Sequence, residues 1–210
     1  MGGMNGILLR AEDEQIRRLA KGNGLPVEIS AEPRLPFDRT LIVGPGRAVP
    51  WHLVKAGFAF LERWEAAAPL TVNLLAAEIG TAGDRERTAA MVRDLRVPVY
   101  ACDLLFVRAG EAGEQLLAAW RSEMADGAEE RLAFLRALYQ VKPVFLALPR
   151  SWLAETAVVQ EPRRQKVGVM TKLIEVQIAP GRYVCCRPEE AEEWKRRLAP
   201  APKRRTSDAR

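Results

Sequence analysis

The run Arg39–Arg47, RTLIVGPGR, carries apolar residues straight into a Gly-Pro-Gly turn. A glycine turn that ends a strand and feeds a helix can present backbone N–H groups to an anion, with Arg47 and His52 adding charge or hydrogen bonds. Pro45 has no N–H to offer, so the stretch also reads as a tight turn that binds nothing. Either way Gly44, Pro45 and Gly46 offer no side-chain oxygen, and a hard divalent cation needs oxygen ligands. Carboxylates suited to acid-base work stand elsewhere, at Asp94, Asp103 and Glu130. Arg108 and Arg131 are the cations that would stabilise a departing diphosphate if one were released. His52 is the only histidine, without a triad or metal partner at a recognisable spacing, and reads as a helix-surface or packing residue. Cys102, Cys185 and Cys186 are odd in number, two of them adjacent, which fits reduced thiols better than a disulfide framework.

The elements that must position these groups alternate between strand-like and helix-like periodicity. That is the pattern of an α/β domain with a mostly parallel mixed sheet flanked by helices. Strands are expected at residues 6–10, 25–30 and 39–44, with a charged helix over 11–22 between the first two. Val49, Leu53, Ala56, Phe60 and Trp64 recur at helical spacing and predict a helix over 48–64. Residues 70–80 read as a strand opened by Thr71 and Val72, and 84–96 as a surface helix. One long, nearly apolar strand is expected over 97–108, central in the sheet. Two helices follow, carried by Leu117, Trp120 and Met124 and by Leu132, Leu135 and Tyr139, then a buried strand over 142–149. Beyond it, alternation around Ile174, Val176 and Ile178 predicts a C-terminal β-hairpin turning at Pro180 and Gly181, with a short helix over 188–199. The expected division is an α/β domain over 1–160, the hairpin and helix over 161–198, and a tail over 199–210.

At 210 residues, 48% hydrophobic and 28% charged, the composition is that of a globular chain with a sizeable core. No stretch is long and apolar enough for a membrane span and the N-terminal residues turn acidic early, so the expected location is cytoplasmic. The net charge of +5 is unevenly spread: residues 195–210 hold seven Lys or Arg and one Asp, leaving 25 basic and 26 acidic groups in residues 1–194. The body is therefore close to neutral. The basic tail could contact nucleic acid or an acidic partner, yet no aromatic residue is interleaved with it to stack on bases. Of the five tryptophans, Trp64 and Trp120 lie on apolar helical stripes, and Trp152 is the best placed for a ligand pocket.

Four phrases, in order, resemble the nucleotide-diphospho-sugar transferases of the GT-A glycosyltransferase fold. PFDRTLIVGPG at 36–46 is similar to the strand that leads into that family's Asp-x-Asp motif. VPVYACDLLFVR at 97–108, with LLAAWRSEM behind it, looks like the strand beginning Asn-Ser-Gly and its following helix. EERLAFLRALY at 129–139 stands where the family has an Asp-Gln pair, and LALPRSWL at 146–153 where it has Leu-Pro, an aromatic and Asn. The resemblance spans residues 36–153 and implies a trimmed GT-A-like domain whose ligand is a nucleotide or nucleotide sugar. It departs from the family where the chemistry lies. Gly44, Pro45 and Gly46 replace the metal-binding motif, Glu130 and Arg131 replace Asp-Gln, and Ala101, Cys102 and Asp103 replace Asn-Ser-Gly. Only about 40 residues precede the first phrase, little for a full nucleotide-binding half.

The resemblance thus implies a glycosyltransferase-like protein with an eroded metal site, no metal and no cofactor, and a non-catalytic binding or scaffolding role. Gly44, Gly46, Arg47, Asp103, Arg131 and Trp152 are the implied ligand-binding residues and Glu130 the one catalytic candidate. Two alternatives stay open: metal-independent transfer through Glu130, and a nucleic-acid or assembly adaptor working through the basic tail.

Overall fold

A computed structural model describes residues 3–153, with backbone alone at 72–74, and the backbone of residues 174–179 and 182–186. Its strands are β1 (Asn5–Leu9), β2 (Val27–Ile29), β3 (Arg39–Val43), β4 (Ala66–Leu75), β5 (Pro98–Tyr100), β6 (Leu104–Arg108), β7 (Phe145–Leu148), β8 (Ile174–Ala179) and β9 (Arg182–Cys186). They lie in the order β2-β1-β3-β6-β4-β7-β9-β8, with β5 paired to β4. β1 pairs in parallel with β2 and β3, and β4 with β7. β6 runs against both of its neighbours, β3 and β4. The sheet is therefore mixed rather than mostly parallel, because β6 returns through its centre and β5 and β8 also run against their neighbours β4 and β9.

Among the described residues five helices cover it: α1 (Glu14–Gly22), α2 (Trp51–Phe60), α3 (Ala82–Val92), α4 (Glu111–Ala125) and α5 (Glu130–Val141). Strand side chains alternate in direction, so each strand feeds two separate apolar clusters. Ile7, Leu9, Leu41, Val43, Leu104 and Phe106 pack with α1 and α2 on one face. Leu8, Ile42, Leu105 and Val107 pack with α4 and α5 on the other. Among the described residues no helix is long and apolar enough to cross a membrane.

Several boundaries differ from the sequence pattern, each for a local reason. α1 begins after Asp13, whose carboxylate accepts from the Ile16 N–H at 2.9 Å, so residues 11–13 lead into the helix rather than belong to it. α2 is confined to 51–60: Leu61, Glu62 and Arg63 N–H groups reach back only three residues, to Phe58, Ala59 and Phe60, in a tightened final turn. β4 starts at Ala66, inside an alanine-rich stretch that reads as helix by propensity, because the strand is paired on both sides by β6 and β7. It ends at Leu75 in a 3₁₀ turn over Ala76–Glu78.

The most consequential difference is that 97–108 is two strands. The Ala101 N–H donates to the Pro69 carbonyl at 2.8 Å, and the Leu104 N–H donates to the Ala101 carbonyl at 3.2 Å. These bonds turn the chain at Ala101–Asp103 and separate β5 from β6. β8 and β9 pair antiparallel, and β9 adds to β7 in parallel. The turn between β8 and β9, the expected helix over 188–199 and the tail over 199–210 lie outside the described residues.

Candidate functional site

The chain runs from β1 outward to β2 and from β3 in the opposite direction, toward β4, with the helices of both connections, α1 and α2, on the same face. The loops after β1 and β3 therefore part at the carboxyl ends of these strands, the position where α/β sheets form a ligand crevice. Because β6 is reversed, the residues just ahead of it arrive at this same edge. Arg10 follows β1, Gly44–Arg47 follows β3, and Asp103 precedes β6.

Gly44-Pro45-Gly46-Arg47 forms one β-turn. The Arg47 N–H donates to the Gly44 carbonyl at 3.3 Å, Pro45 occupies the second position and Gly46 the third, with φ of 65°. That is the arrangement of a type II turn, which needs a positive φ at its third residue and suits proline at its second. The turn is separated from α2 by residues 48–50. Moreover, the Gly44 N–H is already bound to the Asp103 carbonyl at 2.8 Å. The expected row of free N–H groups at a helix start is therefore not assembled: one N–H is engaged and Pro45 has none. Gly44 is required for a different reason, since a Cβ there would lie 2.6 Å from the Asp103 Cβ. The two backbones touch.

Arg47 crosses the turn to the same residue. Its Nε donates to Asp103 Oδ2 at 2.9 Å, and Nη2 donates to the same oxygen. Both side chains are about two-thirds buried, at 27% and 31% exposure. Asp103 Oδ1 is enclosed and has no hydrogen-bond partner among the described residues. An enclosed carboxylate oxygen without a donor is uncommon, and it marks the point at which a donor group from a ligand or a water molecule would be accepted.

A second pair flanks the first. Arg10 donates to Glu130 at the start of α5, its Nε reaches the Ala31 carbonyl at 3.3 Å, and its guanidinium carbon lies 5.5 Å from the Trp120 ring centroid. Cys102, 2% exposed, lies within range of the charges of both pairs. Burial pushes its thiol well above the ordinary cysteine pKa, with the carboxylates of Glu130, Asp103 and Glu129 acting in the same direction and Arg10 against them. A thiol held this way keeps its proton at neutral pH, the less nucleophilic form.

The structure thus brings Gly44, Gly46, Arg47 and Asp103 together and sets Glu130 nearby through Arg10. It distributes the other candidates differently. Arg131 turns to Glu129, Nε to Oε1 at 2.8 Å, and Glu129 in turn caps α5 by accepting from the Leu132 N–H at 2.9 Å. Trp152 is 4% exposed and packs against Phe60 and Phe106 with centroids 6.0 and 5.8 Å away, so it belongs to the core. Arg108 stands at the opposite edge of the sheet, contacting the Leu61 and Glu62 carbonyls. Asp94 is bound to Arg96 by side-chain and backbone hydrogen bonds that hold its carboxyl below the usual range. His52 is exposed in the first turn of α2. Residues 195–210 lie outside the described residues.

Sequence patterns do not single out Arg10. Its only signal is position: a basic residue directly after the apolar run of β1, at the carboxyl end of a strand. Among the described residues no group of three or more His, Cys, Asp or Glu side chains is arranged to hold a metal ion. Comparison of the chain with protein-family models, with curated proteins and with solved structures gave no match.

Proposed function

We propose that the carboxyl edge of the sheet holds a nucleotide or nucleotide sugar without a metal, in a glycosyltransferase-like domain that binds rather than transfers. The observation that carries this reading is the junction of Gly44, Arg47 and Asp103 at the parting of the β1 and β3 connections. A guanidinium presents a planar fork of donors that matches a phosphate as well as it matches a carboxylate. A diphosphate arriving here would compete with Asp103 for Arg47. The unpartnered Asp103 Oδ1 would accept from a ribose or sugar hydroxyl. A divalent cation at the same place would meet a carboxylate whose charge Arg47 already matches. Glu130 is similarly committed to Arg10, which removes it from the role of free general base.

The test is calorimetric titration and thermal shift with UDP, GDP and UDP-glucose, each with and without Mn²⁺. Binding that raises the melting temperature equally in the two conditions, and disappears in Arg47→Ala, is the expected outcome; ligand at a hundredfold excess over Kd stabilises by about 2.7 kcal/mol. Mn²⁺-dependent binding or sugar transfer would overturn the reading, as would indifference of Arg47→Ala.

A further inference from the structure

The far edge of the sheet carries a second feature, independent of the carboxyl-edge site. Among the described residues β2 pairs with β1 alone. The Pro26 carbonyl accepts from Ile7 N–H at 2.9 Å and the Ser30 N–H donates to the Leu9 carbonyl at 2.9 Å, so the even-numbered residues of this segment bond inward to β1. The N–H and C=O groups of Val27 and Ile29 therefore point off the sheet, and among the described residues nothing is bonded to them. The register Ile7↔Val27 and Leu9↔Ile29 sets both side chains on the face that α1 covers, where Ile29 remains 43% exposed. Between α1 and β2 runs an open cleft of about 730 Å³, lined by Arg17, Arg18, Lys21, Leu25 and Val27. Arg17 is satisfied by Glu12 and Glu14 at 3.3 and 3.2 Å. Arg18 and Lys21 have no carboxylate partner among the described residues. A pair of uncompensated cations thus overlooks an open strand edge and a strip of apolar surface.

We propose that this edge receives an acidic, extended segment of a partner protein, which adds as one further strand beside β2. Main-chain bonds to Val27 and Ile29 would hold the segment, and its acidic side chains on the α1 face would meet Arg18 and Lys21. Charge selects this occupant over the alternatives within the chain. A second copy paired edge to edge would bring Arg18 and Lys21 against their own counterparts, and residues 195–210 are strongly basic.

The probe is a capped, fluorescein-labelled octapeptide of alternating glutamate and valine, titrated with the full chain in an anisotropy assay at low salt. Saturable binding that weakens as salt rises is expected, together with at least a tenfold loss in the Arg18→Glu/Lys21→Glu variant. Ile29→Pro removes the outward N–H together with the half-exposed isoleucine side chain, leaves the inward bonds of β2 in place, and should lose binding to the same degree while keeping the wild-type melting temperature within a few degrees, since proline is tolerated on edge strands. Equal binding of the lysine-valine counterpart peptide overturns the proposal. So does full affinity in both variants, or an unaltered Ile29→Pro affinity alone. A dimer in analytical ultracentrifugation that Ile29→Pro abolishes would assign the edge to self-association instead, and also overturn it. Nucleotide titration of the same variants keeps this result separate from the carboxyl-edge site, which they do not touch.

Discussion

Replacing Gly44 with alanine would put a methyl carbon 2.6 Å from the Asp103 Cβ and 3.2 Å from its Cα, one of them backbone and neither the mobile end of a long side chain. Ordinary carbon contacts begin near 3.4 Å, so the two loops would have to separate by most of an ångström. That movement opposes the Gly44 N–H to Asp103 carbonyl bond of 2.8 Å, worth about 1 kcal/mol net. Overpacking of this kind costs roughly 1–3 kcal/mol in itself, for a total of about 3 kcal/mol. In a chain of this size that lowers the melting temperature by roughly 6–12 °C. Gly46 supplies the control: a Cβ there meets nothing within 4 Å, and the only penalty is its φ of 65°, about 1–2 kcal/mol for a left-handed residue. Urea unfolding of Gly44→Ala, Gly46→Ala, Asp103→Gly and the double variant Gly44→Ala/Asp103→Gly would measure the difference. Removing the Asp103 Cβ makes room for the methyl, so the double variant should recover at least about 1 kcal/mol relative to the sum of the two singles. If Gly44→Ala costs no more than Gly46→Ala, or the cycle shows no coupling, the contact between the two loops is not what requires glycine.

Four further outcomes follow from the same geometry. Arg47→Ala should change stability by less than about 1 kcal/mol, because its ion pair is partly solvated, while abolishing nucleotide binding in calorimetry; Asp103→Asn, which relieves competition for Arg47, should strengthen it. Arg136 is 1% exposed and donates to Glu123 at 2.6 Å and to Thr88 at 2.8 Å, so Arg136→Ala should cost about 3–5 kcal/mol in urea unfolding, far more than loss of the exposed Arg96–Asp94 pair. Burial of Asp84 would raise its pKa, but hydrogen bonds from the Thr81 side chain and backbone, with the nearby Arg136 charge and the Glu129 N–H, outweigh it and hold the group below its ordinary value. Its stabilising contribution is then complete above the unfolded carboxyl pKa of about 3.9 and lost as pH falls through the folded value, so an Asp84→Asn variant should show a shallower acid limb in stability against pH. In a Cys185→Ser/Cys186→Ser background, Cys102 should resist iodoacetamide at pH 8 when folded and react promptly in urea, followed by mass spectrometry.

The sequence by itself determined the two long buried helices and the turn that ends β3. Helical spacing at Leu117 and Trp120 and at Leu132 and Leu135 marks α4 and α5, since one face of each must be buried. Pro45 followed by Gly46 specifies a turn through backbone sterics alone, which is why that turn is legible in the residue types themselves. Only tertiary structure decided the rest. Whether the Ala66–Pro69 segment became strand or helix depended on β6 and β7 lying on both sides of it. The break at Ala101–Asp103 depended on a bond to Pro69, some thirty residues away, and without that break Asp103 would not reach Gly44. Trp152 has the same composition signal in a pocket or a core, and it was Phe60 and Phe106 that made it core. Arg10 and Glu130 are 120 residues apart, and sequence periodicity reports only which face a residue takes within its own element. A site assembled from the ends of several strands becomes visible once the strand order is known, because the order decides which ends share an edge.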